Sequence, residues 1–251
     1  MTCSFFATRG FLAVAWAALL AGGPVSAREA SLRVCAADWP PFTVAGEPGG
    51  PVAGTLADKV RALFSAAGYD VVIHVVAWER CLKDLSEGYY AAAYPAAYRR
   101  EREAFALYPK SRLETLAYVA VVRQGDAPGW RAAHGVAALP QPVGVPRGWA
   151  LAQDLAGTAG LTLDQNSETM EQNLRKLKAG RIGTALLEVR TAALLLPRVD
   201  PEGSLAVLPD TVVSDRAGYL VLSRAALGNR GGRQLAERLD GAMKSAPGGR
   251  R

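Results

Sequence analysis

The sequence predicts an α/β fold made of two lobes, each a mostly parallel sheet flanked by helices. Three observations lead there. Short apolar, β-branched runs alternate with amphipathic stretches of helical period, the pattern of strands joined by crossover helices. A long apolar strand and a loop rich in Gly, Ala and Pro at 125–142 divide that pattern into two sets. With 251 residues, the chain is long enough to bury two cores.

The N-terminus stands apart. Arg9 precedes an uncharged apolar block, Phe11–Ala21, and Val25-Ser26-Ala27 supplies the small residues of a signal-peptidase site, so residues 1–27 read as an export signal. The block is too short to cross a bilayer core of ~30 Å as a helix. No cysteine follows it, so no lipid anchor is indicated, and the exported chain is expected to be soluble.

The first set begins with a strand at Leu32–Ala36 and a turn, "CAADWPPF", whose two prolines can neither extend a ladder nor start a helix comfortably. Thr55–Ala67 is an amphipathic helix, with Leu56, Val60, Leu63 and Phe64 on one face and Gly68 at its end. "DVVIHVV" (70–76) is a buried strand, a helix runs from about Glu79 to Gly88, and "AAAY" (91–94) is a short, weak strand. The second set opens with "LETLAYVAVVRQG" (113–125) and continues with strand, turn and helix over 142–157. "SETMEQNLRKLKAG" (167–180) is a helix starting at Ser167 whose capping box is incomplete, because Met170 stands where an acid is wanted. Strands at Thr184–Leu187, Leu205–Leu208 and Tyr219–Ser223 and a helix around Arg233–Met243 complete the chain.

Composition excludes several functions. The formal charge of +6 modestly favours anionic partners, but no basic run is interleaved with aromatics, so nucleic-acid binding is not indicated. Part of the surplus lies in the tail, "PGGRR". Removing the signal removes Cys3 and leaves Cys35 and Cys81, an even pair in an oxidising compartment, the arithmetic of one disulfide. His74 and His134 stand alone as structural or surface residues, and neither a metal nor a cofactor is predicted.

The order of landmarks resembles the family 3 extracellular solute-binding proteins. The matching pieces are "LRVCAADWPPF", the stretch from Gly54 through "GTLADKVRALFSAAGYDVVIHVVAWERCLKDLSEG", "RREREAFALYP", "LAYVAVVRQG", "PVGVPRGWALAQDL", "LKAGRIGTALLEV" and "AGYLVLSRAAL". The resemblance implies a type II periplasmic-binding-protein fold with two hinge crossings, near Tyr108–Lys110 and Asp215–Gly218. Residues 28–109 and 218–251 would form one lobe and 110–217 the other, with a ligand in the cleft between them. It also fits a Cys35–Cys81 bridge, since Cys35 ends the first strand and Cys81 opens the helix after the neighbouring one.

The resemblance further suggests a binding site. Trp39 and Phe42, beside Asp38, would line the cleft at the carboxyl end of the first strand, where open α/β sheets bind ligands; a core plug is the alternative for this turn. Tyr94 would join that wall. Arg102 matches the arginine that clamps the ligand carboxylate, its alternative being a solvated face paired with Glu101 and Glu103. Glu188 matches the carboxylate that meets the ligand ammonium, unless it pairs with Arg190. Arg147, Gly148 and Trp149 match the turn whose backbone amides meet the carboxylate, with Trp149 capping the ligand or packing under its helix. The chain departs from the family pattern at Pro95, Ala96 and Ala97, at Ala91 and Gly183, and at Trp149-Ala150, where hydroxyl groups or aspartates are usual.

These features imply a monomeric periplasmic protein that captures a small amino-acid-like or anionic solute for an inner-membrane transporter or sensor. The alternatives are a cyclohexadienyl-dehydratase-like enzyme on the same scaffold and a partner protein that has lost its solute. Binding rather than catalysis is expected, since no nucleophile and base stand in a recognisable arrangement.

Overall fold

The computed structural model describes residues 1–2, 29–47, 50–128 and 135–245. The predicted signal from residue 3 onward, His134 and the "PGGRR" tail lie outside them. The strands are β1 (Glu29–Ala36), β2 (Tyr69–Val75), β3 (Ala92–Ala97), β4 (Ala106–Leu107), β5 (Glu114–Arg123), β6 (Val143–Gly144), β7 (Leu163–Asp164), β8 (Thr184–Glu188) and β9 (Leu205–Ser223). The helices are α1 (Thr55–Ala66), α2 (Trp78–Ser86), α3 (Ala150–Leu155), α4 (Met170–Lys178), α5 (Val189–Val199) and α6 (Arg224–Ser245).

The expected α/β fold is what forms. The strands lie in the order β2-β1-β3-β9-β5-β8-β6-β7, with β4 also on β9. Pairing is parallel at both ends of this path, where α1, α2 and α4 cross between strands, and antiparallel around β9 and β5. The first lobe is the β2-β1-β3 end with α1 and α2, and the second is the β8-β6-β7 end with α3 to α5. Sheet hydrogen bonding is continuous between them because β9 is a single strand of 19 residues. It pairs with β3 through Gly218 to Leu222 and with β5 from Leu205 to Gly218. The sequence suggests two strands here, Leu205–Leu208 and Tyr219–Ser223, with Pro209 just past the first; in the structure β9 is continuous, and its register with β5 is irregular between Val207 and Val212.

Burial explains the elements. α1 turns Leu56, Val60, Leu63 and Phe64 inward, and α2 turns Trp78, Cys81 and Leu85 inward. Cys81 is bonded to Cys35 with their Cα atoms 5.7 Å apart, tying α2 to β1 as expected. Closing a loop with a sequence separation of 46 stabilises the first lobe by roughly 3–4 kcal/mol on the chain-entropy account. His74, on β2, packs its ring 5.6 Å from that of Tyr90.

Three elements differ from expectation for local reasons. β3 runs on through Pro95, which sits at an irregularity in its register with β9 between Ala93 and Ala96, a place where a missing N–H is tolerated. α4 begins at Met170 rather than Ser167 and its capping box is complete: Gln172 N donates to Thr169 Oγ1 (3.2 Å) and Thr169 N to Gln172 Oε1 (3.3 Å). Ser167 stays outside the helix, its carbonyl accepting from Arg147 N (2.8 Å). α5, unforeseen, follows β8 with no turn between them, and Pro197 in its last turn masks the helical pattern. α6 likewise starts directly after β9, bends at Gly228 and packs against α1, α2 and β4.

Candidate functional site

The stretch that ends β1 folds back on itself. Trp39 N donates to Thr43 O (2.8 Å), and Phe42 N and Thr43 N donate to Trp39 O (2.8 and 2.9 Å). Asp38 Oδ1 accepts from Ala45 N (3.1 Å). The prolines fit because neither position has to donate. Their turn offers carbonyls instead: Thr55 N donates to Pro41 O (2.9 Å), and Leu56 N and Ala57 N donate to Phe42 O (3.0 and 3.1 Å). The free amides that open α1 are therefore satisfied within the first lobe. Gly54 allows this approach, with φ of 120° and a position where a Cβ would lie 2.4 Å from Phe42 O.

This turn aims Trp39 at the second lobe. Its indole N–H donates to Thr191 Oγ1 on α5 (2.9 Å), and the Thr191 hydroxyl donates to Pro40 O (2.7 Å). The ring lies 4.3 Å from Trp149, which caps α3, stacks at 6.3 Å on Tyr118 of β5 and meets Phe42 edge-on at 5.1 Å. Each such aromatic pair is worth ~0.5–1.5 kcal/mol beyond the area it buries. A polar clasp lies beside them. Arg99 of the first lobe donates to Gln153 Oε1 (3.0 Å) and Ala150 O (2.6 Å) on α3 and pairs with Asp154, which also pairs with Arg216 of β9.

Between these groups is a cavity of about 30 Å³ walled by Trp39, Trp78, Tyr94, Arg102, Trp149 and Arg216, with Leu116, Tyr118 and small residues. That is room for a water or two as the lobes stand. Arg102 rises from a 3₁₀ turn at Arg100–Ala104, is 5% exposed, and donates through Nη1 to Ala97 O (2.9 Å) with its guanidinium 6.0 Å over Trp78. Arg216 donates through Nε to Ser214 Oγ (2.8 Å). The Trp149 indole N–H is buried without an acceptor. Burial pushes the Tyr94 hydroxyl up to about 12, with the Thr43 hydroxyl and Arg61 pulling the other way. Burial likewise raises Tyr118, and the Glu188 charge adds to the effect. Beyond Trp39 lies a second cavity of about 240 Å³, between Asp38, Thr191 and the start of α4 with Glu171 and Arg175. Trp39 is the wall common to both.

Of the residues singled out from sequence, Trp39, Tyr94, Arg102 and Trp149 come together around the first cavity. Asp38 faces the second. Phe42 is fully buried under the Arg190 guanidinium, 4.4 Å from its ring centre. Arg147 is exposed, donating to Gln165 O (3.3 Å). Gly148, with φ of 71°, lies against Glu79 of the first lobe, so close that a Cβ would be 2.4 Å from Glu79 Cγ. Glu188 is 1% exposed and caps α5: its oxygens accept from Arg190 N (2.8 Å), Arg190 Nε (2.9 Å) and Thr191 N (3.1 Å). Its pairing with Arg190 was the alternative the sequence left open, though in a buried setting. Sequence reasoning missed Trp78, Tyr118, Thr191, Arg99 and Arg216. Only Arg216 carried a signal, since it falls inside the second expected crossing.

No family model matches this sequence, nor does any curated protein. Solved structures do resemble it. An ancestral arginine-binding protein bound to arginine is 18% identical with a TM-score of 0.70, over 87% of this chain and 94% of that one. An ancestral amino-acid-binding protein, a precursor of cyclohexadienyl dehydratase, is 16% identical with a TM-score of 0.68, over 85% and 88%. A histidine kinase sensor domain with similarity to periplasmic binding proteins is 17% identical with a TM-score of 0.69, over 86% and 89%. At these identities the likeness establishes the fold, that of the two-lobed periplasmic binding proteins. Among the described residues, no helix is long and apolar enough to cross a membrane, and no three His, Cys, Asp or Glu side chains are placed to hold a metal.

Proposed function

We propose that the protein is a periplasmic solute-binding protein, exported by cleavage near Ala27, that closes its two lobes around a small polar ligand. It would act as a monomer and hand that ligand to an inner-membrane transporter or sensor. One observation carries the reading: aromatic rings from both lobes and the buried, partly free guanidinium of Arg102 converge on one cavity where the lobes meet. Apolar walls with a few fixed polar groups are what small-molecule sites use. The lobes, 28–109 with 218–251 and 110–217, would swing about the crossings near Tyr108–Lys110 and Asp215–Gly218, and affinity would follow the balance of open and closed states. Binding is favoured over a dehydratase-like reaction because Glu188, the carboxylate nearest to an acid role, is fully engaged in capping α5.

A thermal-shift screen of the oxidised protein against amino acids, polyamines, small carboxylates and prephenate tests this. A ligand at a hundredfold excess over its Kd adds ~2.7 kcal/mol, a readily seen rise in Tm. The rise should vanish in Arg102→Ala and persist in Glu188→Gln. Prephenate turnover would move the assignment to an enzyme. A specific observation favours a second reading, a partner protein without a solute: Trp39 and Trp149 nearly fill the cleft unaided. Silence across the whole panel would favour it.

A further inference from the structure

Resting on the solute-binding reading, we infer that the cleft selects small carboxylates that lack an ammonium group, not α-amino acids. A zwitterion needs donors for its carboxylate and acceptors for its ammonium. Residues of the cavity wall carry donors. Arg102 bonds Ala97 O and the Tyr108 hydroxyl, which leaves others of its five N–H groups over, and the Trp149 indole N–H is buried with no acceptor. A ligand oxygen is the partner that both donors lack, and a buried donor left unpaired costs ~1–3 kcal/mol.

A carboxylate to meet an ammonium is missing. No aspartate or glutamate is among the residues lining the cavity. Glu188 is sealed into the first turn of α5 with three donors on its two oxygens. Asp154 is held between Arg99 and Arg216. Asp38 and Glu171 belong to the second cavity, behind Trp39, whose ring is pinned by Thr191. An ammonium entering the first cavity would face two guanidinium groups and have only neutral partners, ring faces and phenol oxygens, in place of its water. The rest of the wall, Trp39, Trp78, Leu116 and Tyr118, accepts an apolar body.

The test uses matched pairs that differ only in the amino group: propionate with alanine, glutarate with glutamate, 3-phenylpropionate with phenylalanine. Each is titrated into the oxidised full chain, read by tryptophan fluorescence and by calorimetry. The expected result is that at least one carboxylate binds about tenfold or more tightly than its amino acid. Trp149→Phe, which keeps a ring and removes the N–H, should weaken that carboxylate by ~3- to 10-fold. Arg102→Lys, which keeps the charge and removes the planar fork, should weaken it further. An amino acid binding as tightly as its partner overturns the inference and leaves the solute-binding reading standing. Selective carboxylate binding that ignores both variants overturns it too, because the site is then elsewhere. No binding by either member of any pair up to ~10 mM overturns this inference, while the solute-binding reading falls only if the wider thermal-shift panel is silent as well.

Discussion

Trp39 and Trp149 face each other across the cleft, 4.3 Å apart, and they are not equivalent. Each sits just past a strand, each is almost fully buried, and each comes from a different lobe. The Trp39 N–H is spent on Thr191, whose hydroxyl returns to the carbonyl beside Trp39, so this indole is a two-bond clasp between the lobes. The Trp149 N–H has no acceptor. The difference separates two settings for the same residue type: one indole is bonded across to α5, and the other is buried with its donor unpaired. The same contrast divides the buried charges. Glu188 is saturated by its own helix, whereas Arg102 retains donors that nothing in the cavity occupies.

The largest effect should come from Trp39→Ala, which removes the central ring and its bond to α5. It is expected to cost about 3–5 kcal/mol in urea unfolding followed by circular dichroism. Trp149→Ala costing as much or more would break the comparison. Thr191→Val comes next: it strands the Trp39 N–H and the Pro40 carbonyl together, for a loss of about 1–3 kcal/mol. A finer contrast pits Trp39→Phe against Trp149→Phe. Both keep a ring, but only the first deprives Thr191 of its donor, so it should be the more destabilising by ~1 kcal/mol. Equal losses would mean that the Thr191 bond contributes nothing net. The smallest effect is on alkaline stability. The Tyr94 hydroxyl is raised from 10.0 to about 12, so the folded form holds that proton more tightly than the unfolded chain. Its contribution is complete below pH ~10 and is lost as pH rises towards 12. Tyr94→Phe should therefore flatten part of the fall in Tm over that window. Tyr118 shifts in the same direction, so some of the fall should remain.

Most of the fold was legible because its elements announce themselves locally. The helical period of 55–67, the apolar run of 70–76 and the length of 113–125 each have a one-dimensional signature, and so does the cysteine pair. The failures share a cause. α5 and the middle of β9 carry contrary local signals, Pro197 in one and Pro209 in the other. The site was half legible. Trp39 and Arg102 lie in recognisable stretches, and the structure brings them to one cavity with Tyr94 and Trp149. Thr191, Arg99 and Tyr118 have no signature, because what matters about them is a partner more than 50 residues away in the chain.

The sequence by itself determined the α/β alternation, the disulfide arithmetic and the tight turn after β1, since each depends on spacing, residue type or backbone chemistry within a short stretch. Only the tertiary structure decided which charges are free. Arg102 and Glu188 look alike in sequence, one buried ion candidate in each half. Whether a buried ion is spent or available depends on how many partners reach it. Glu188 is met by three donors from the helix it begins, while Arg102, with five N–H groups to place, is met by the Ala97 carbonyl, the Tyr108 hydroxyl and a ring.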